Sequence, residues 1–175
     1  MDDIVKAAMK KWPTVPACHG WLALDARGDW YLRDDATRAA GAFPAVKGSR
    51  LTHAKLCEFI GRNYLADDQG AWYFQNGPQK VFVQIEAAPY VLGVQREGAA
   101  YEVHTHTGLR AGAVQDSWVD EHGRLFLACS QAIGIVRSLD MDTAADAVSS
   151  GLWQPRPIAF DELPRRYGYQ LDPQP

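Results

Sequence analysis

Trp72-Tyr73-Phe74-Gln75-Asn76-Gly77-Pro78-Gln79-Lys80-Val81-Phe82-Val83-Gln84-Ile85-Glu86 reads as strand, turn, strand. Aromatic and β-branched residues fill both arms, and such side chains pack well on a half-buried pleated surface. Asn76-Gly77 tolerates the positive φ of a tight turn whose twist matches the strands it joins. Pro78 has no N–H to offer a ladder, so it must stand where none is needed.

Upstream of this hairpin lies a turn signal that the chain uses three times. Its copies are Leu24-Asp25-Ala26-Arg27-Gly28-Asp29-Trp30-Tyr31-Leu32, Ala66-Asp67-Asp68-Gln69-Gly70-Ala71-Trp72-Tyr73-Phe74 and Val119-Asp120-Glu121-His122-Gly123-Arg124-Leu125-Phe126-Leu127. In each, an Asp can bond the backbone ahead of it and a Gly supplies the φ > 0 residue that closes the turn. The chain then re-enters an apolar strand. Convergent reuse of a cheap turn and an internal duplication both account for the repetition.

Two more hairpins follow. One joins residues 90–96 and 100–107 through Glu97-Gly98, and the other spans 118–137 around Gly123. Helical spacing of apolar residues predicts helices over residues 2–12, 50–64 and 140–149. Asp2 or Asp3, Ser49 or Thr52, and Asp140 or Asp142 are their expected caps. The Ala/Gly/Pro-rich stretch 36–49 reads as a loop. Consecutive hairpins with a few helices predict an α+β fold of antiparallel hairpins. The expected organisation is an N-terminal half over 1–66, a β-rich half over 67–153 and a Pro-rich tail of low regularity over 154–175, all in one compact unit.

The 175 residues are 47% hydrophobic and 22% charged, a globular composition. A formal net charge of −3 argues against broad attraction to nucleic acid or anionic lipid. Three widely spaced cysteines without a CxxC pair fit a reducing compartment. The acidic start lacks a signal-peptide core, and no apolar run approaches the roughly 20 residues of a membrane helix. The bacterial cytoplasm is the expected location, with no nucleic-acid or membrane partner. A homodimer is compatible with the same reading.

The stretch from Gly70 to Val91 resembles the proteobacterial family catalogued as domain of unknown function 1285. The shared pattern is a strand, a Pro-containing turn, Lys80-Val81, an alternating strand ending in Glu86, then Pro89-Tyr90-Val91. Gly28-Asp29-Trp30 and Gly151-Leu152-Trp153 are similar to that family's two Gly-x-Trp turns. The long Ala/Gly/Pro insertion and the six tryptophans depart from it, which leaves an uncharacterised sister family open. The resemblance implies a duplicated α+β core with a pleckstrin-homology-like C-terminal half. It also implies a site between the halves for a small anionic or nucleotide-like ligand in signalling, and no transferable catalytic role.

Two residue sets could carry chemistry. Backbone amides at the Asn76-Gly77-Pro78 turn with Lys80 could hold an anion. Together with basic Arg50, polar Gln79 and aromatic Trp30 and Tyr73, they make the expected ligand-binding set: Trp30, Arg50, Tyr73, Gln79 and Lys80. The alternative is a metal-dependent enzyme or metal-binding protein. Glu102, His104 and His106 share one strand face at i, i+2 and i+4, and two imidazoles with a carboxylate can ligate Zn²⁺. Turn chemistry and a solvated sheet face are the plainer readings of the two sets. The chain contains no GxxxxGK[ST], GxGxxG or GxSxG, so no nucleotide fingerprint, nucleophile elbow or named cofactor follows. Cys57 reads as a core thiol, and Cys18 stands beside His19. The expectation is therefore a non-enzymatic ligand-binding or regulatory module.

Overall fold

Residues 1–98 and 100–175 are described by the structure, a computed structural model, and they divide into two units. The first comprises Met1–Asp25, Asp29–Glu86 and Gly168–Pro175; the second comprises Ala26–Gly28 and Ala87–Tyr167.

The first unit runs α1 (Asp3–Lys11), β1 (Cys18–Leu24), β2 (Trp30–Leu32), α2 (Asp35–Ala40), β3 (Ser49–Arg50), α3 (Ala54–Arg62), β4 (Tyr64–Ala66), β5 (Trp72–Asn76) and β6 (Gln79–Ile85). Its sheet has the order β3-β2-β1-β6-β5-β4. All pairings are antiparallel except β1 with β6, which is parallel. Leu22, Leu24, Phe74, Val83 and Ile85 of the sheet are buried, as are Val5 of α1 and Ile60 of α3. Phe59 of α3 meets Phe74 edge-on at 5.5 Å. Each such buried side chain contributes about 1.5–3 kcal/mol.

The second unit runs β7 (Tyr90–Glu97), β8 (Ala100–Thr105), β9 (Val114–Val119), β10 (Leu125–Cys129), β11 (Ile133–Val136), a 3₁₀ turn (Ser138–Asp140), α4 (Met141–Ser149), β12 (Arg156–Pro157) and α5 (Glu162–Tyr167). Its sheet has the order β12-β9-β10-β11-β7-β8. Leu92, Val94, Val103, Leu125, Leu127 and Val136 cluster with Ala144 and Ala147 of α4 and with Trp153. β11 lies parallel to β7, and Gly134 is what lets them approach. A Cβ there would stand 2.6 Å from both Leu92 Cγ and Tyr90 O.

The fold is thus α+β, and the predicted hairpins are present. Among the described residues, three parallel pairings join them: β1/β6, β11/β7 and β12/β9. The three acidic turns fold alike. Asp25, Asp67 and Asp120 each accept the backbone N–H four residues on, from Asp29, Ala71 and Arg124, at 2.8–3.0 Å. Gly28, Gly70 and Gly123 close them with φ of 91°, 77° and 74°.

Several local expectations change. The boundary expected after residue 66 falls inside the β4–β5 hairpin, whose backbone pairing holds residues 64–76 in one sheet. The Pro-rich tail is ordered, giving β12 and α5 to the second unit and residues 168–175 to the first. The stretch read as a loop contains α2, because the Asp34 carboxylate caps it through the Thr37 N–H at 2.8 Å. The hairpin that opened the sequence reading turns at Gly77-Pro78, since Asn76 pairs with Gln79. His53 rather than Ser49 or Thr52 caps α3, accepting from the Leu56 N–H at 3.3 Å. Asp2 and Asp140 hold the expected N-cap positions without capping through their side chains. Asp2 instead pairs with Arg62, and Asp140 is claimed by the site described next. Among the described residues, no helix is long and apolar enough to cross a membrane.

Candidate functional site

The outward face of β7 supplies a floor. Side chains alternate along a strand, so Val91, Gly93 and Gln95 share the face opposite the core residues Leu92 and Val94. The parallel neighbour β11 ends at Val136, and Arg137 continues past it with its N–H donating to Leu92 O at 3.0 Å. Its guanidinium then lies over Gly93. A Cβ at Gly93 would stand 3.4 Å from Arg137 Cζ and 3.3 Å from Asp140 Oδ2, so the missing side chain provides the seat.

Asp140 holds that guanidinium by one edge. Arg137 Nε donates to Asp140 Oδ2 at 2.6 Å and Nη2 to Oδ1 at 3.2 Å. The carboxylate is itself anchored, accepting the Val94 N–H at 2.9 Å. Such two-point charge-assisted contacts fix the guanidinium plane as well as its position. Arg137 is about two-fifths exposed, so its remaining edge faces solvent.

β8 supplies the other flank. His104 pairs with Gly93 and Glu102 with Gln95 across the ladder. Glu102 Oε1 receives Arg110 Nε at 2.8 Å and lies 3.6 Å from His104 Nε2. His106 follows the end of the strand. Its N–H donates to Val91 O at 2.7 Å, and its Nδ1 accepts the Val91 N–H at 3.2 Å. Burial lowers its pKa to about 4, so the ring is neutral over the ordinary pH range.

Arg27 and Gly28 complete the end beside His106. The Gly28 position approaches His106 Cβ so closely that an added Cβ would stand 3.2 Å away. Together these residues enclose a cleft of about 300 Å³. Two arginines and two histidines line it, and among the described lining residues there is no carboxylate, aromatic hydrocarbon ring, serine or cysteine. Asp140 and Glu102, beside this lining, are engaged by Arg137 and Arg110. The wall therefore favours an anion.

The expected metal set does not assemble. Glu102 and His104 share a face as predicted, but alternation is lost where β8 ends at Thr105, and His106 folds back onto the β7 backbone. Among the described residues, no group of three or more His, Cys, Asp or Glu could hold a metal ion.

The expected ligand set is spread over the first unit's sheet. Tyr73 and Lys80 do meet, with Lys80 Nζ 4.6 Å from the ring centroid. Trp30 is buried, edge-on to Tyr64 at 5.3 Å. Arg50 is paired with Asp29 at 2.8 Å, and Gln79 Nε2 donates to Pro16 O at 3.1 Å. None of the five lines the cleft at Arg137. The sequence reading missed Arg137, Gly93 and Gln95. The available signal was Arg137-x-x-Asp140 directly after the apolar run Ile133–Val136.

The fold and cleft define a two-sheet α+β protein with an arginine-lined polar cleft in its second unit. The chain belongs to the family of the model DUF2944, described as "Protein of unknown function (DUF2946)", which matches residues 1–174. No curated protein matches it. The crystal structure of a DUF1285 family protein from Silicibacter pomeroyi DSS-3 shares its fold. The TM-score is 0.51 at 13% identity, over 83% of this chain and 84% of that one. A second DUF1285 family protein, from Shewanella baltica OS155, has a TM-score of 0.43 at 16% identity, over 72% of this chain and 91% of that one. The resemblance read from the short motifs is thus one of fold, and the family is a different one.

Proposed function

We propose that this protein is a non-enzymatic binding or regulatory module whose ligand is a small anion received in the cleft at Arg137. The supporting observation is the seat itself. A guanidinium is clamped by Asp140 across a glycine, with one edge turned to solvent. Pre-organised charge-assisted donors of this kind bind oxyanions with little ordering cost. The described lining residues include no carboxylate, and the one hydroxyl among them, Thr105 Oγ1, is engaged by the Thr107 hydroxyl and the Leu109 N–H, which favours binding over catalysis.

The test is calorimetric titration of the purified chain with inorganic phosphate and sulfate at low ionic strength. Saturable binding that Arg137→Gln abolishes, with the fold intact by circular dichroism, is the expected result. Equal binding by wild type and Arg137→Gln would place the anion elsewhere.

A further inference from the structure

His104 and Arg137 are neighbours across Gly93. Residues paired across an antiparallel ladder carry their side chains on the same face, with Cβ positions about 4.5–5.5 Å apart. His104 pairs with Gly93, and a Cβ at Gly93 would stand 3.4 Å from Arg137 Cζ. The imidazole is therefore rooted beside the guanidinium, and both side chains line the cleft. The His104 side chain is 30% exposed, and its Nε2 lies 3.6 Å from Glu102 Oε1.

Resting on the anion reading above, we propose that His104 is a second anion-binding residue of the cleft and acts as the imidazolium. The ligand therefore arrives together with a proton. Imidazole is the side chain whose charge ordinarily changes between pH 5 and 8. The charged and titratable groups around it are Glu102 on its own strand, Arg110 bridged to the His104 backbone, Arg137 and Asp140 after β11, and Arg27 and His106 in the cleft wall. The arginines stay cationic throughout that range. Asp140 and Glu102 are each engaged by an arginine. His106 stays neutral, because burial lowers its pKa to about 4. His104 is thus the group that supplies the change of charge. Without an anion, Arg137 opposes a second positive charge beside it, while Glu102 favours one. A bound oxyanion offsets that repulsion and gains a further charge-assisted donor. Anion and proton then each strengthen the other's binding by the same factor.

The test is calorimetric titration of the full chain with sulfate, which keeps its charge from pH 8 to pH 5.5, whereas phosphate takes up a proton itself. Sulfate affinity is expected to rise about 10-fold from the higher pH to the lower, within the usual range of coupling between two sites. Titration midway between them, in two buffers of different ionisation enthalpy, should show proton uptake with the anion. His104→Gln, folded by circular dichroism, should bind sulfate equally at both pH values and show no buffer dependence. His104→Lys, charged across the range, should bind sulfate at pH 8 about 10-fold tighter than His104→Gln does. Wild-type affinity that does not change with pH, or a rise that His104→Gln retains, overturns the role of His104 and leaves the anion site standing. No sulfate binding by the folded wild type at either pH overturns the anion site as well.

Discussion

Asp140 grips Arg137 by Nε and Nη2, at 2.6 and 3.2 Å, and is itself pinned by the Val94 N–H at 2.9 Å. The carboxylate thus ties the residue after β11 to the neighbouring strand β7. Asp140→Ala strands the Val94 N–H and frees the guanidinium to reorient. The expected outcome is a stability loss of about 1–3 kcal/mol together with weakened phosphate binding. Denaturant unfolding and calorimetric titration measure the two effects separately.

Gly93→Ala probes the same seat from below. Its Cβ would press on Arg137 Cζ and Asp140 Oδ2, both flexible side-chain ends, so the strand should persist while the clamp shifts. Phosphate affinity is expected to fall more than about 10-fold with a melting temperature changed by only a few degrees. Unchanged affinity would dissociate the clamp from binding.

His106 makes stability depend on pH. Its ordinary pKa of 6.5 is lowered to about 4 by burial. Well above pH 6.5 the imidazole is neutral in both states and contributes no slope. As pH falls from about 6.5 to about 4, the unfolded chain takes up a proton that the folded chain refuses. Stability from this group therefore declines across that window, by on the order of 3 kcal/mol, and levels off below it. His106→Asn can still accept from the Val91 N–H and should flatten this part of the profile in urea unfolding from pH 4 to 7.

Asp120 is a buried carboxylate that accepts from the N–H groups of His122 and Arg124 and pairs with the Arg124 guanidinium at 2.6 Å. Asp120→Ala removes all of these and leaves two turn amides without their acceptor. A loss of about 2–4 kcal/mol is expected in chemical unfolding, with Asp120→Asn intermediate.

The three thiols should differ in access. Cys129 lies in β10 and burial pushes its pKa up to about 11, while Cys18 and Cys57 are half-buried. A thiol reagent is expected to label Cys18 and Cys57 in the native protein and Cys129 only on unfolding, as mass spectrometry would show.

Much of the local order that neighbours in sequence set was legible. The Asp-x-x-Gly turns at Asp25, Asp67 and Asp120 needed only a carboxylate, a following amide and a glycine, all within five residues. The helix over residues 54–62 was visible in its apolar spacing. α2 escaped because its Ala/Gly/Pro surroundings masked the Asp34 cap. The turn at Gly77-Pro78 was missed by one residue because ladder register, which no short stretch contains, decided it.

The candidate site was legible least of all. Strand alternation alone put Glu102 and His104 on one outward face, and the chain's own chemistry made Tyr73 and Lys80 partners on paired strands. Sequence therefore settled the fold class, the presence of the hairpins and the three acidic turns, since those depend on hydrogen bonds and apolar periodicity a few residues long. The meeting of Gly93, His104 and Arg137 depended instead on the parallel pairing of β11 with β7 and the antiparallel pairing of β8. Those contacts join residues up to 44 positions apart (137 − 93), and only the free energy of the whole packed sheet selects which strands lie side by side.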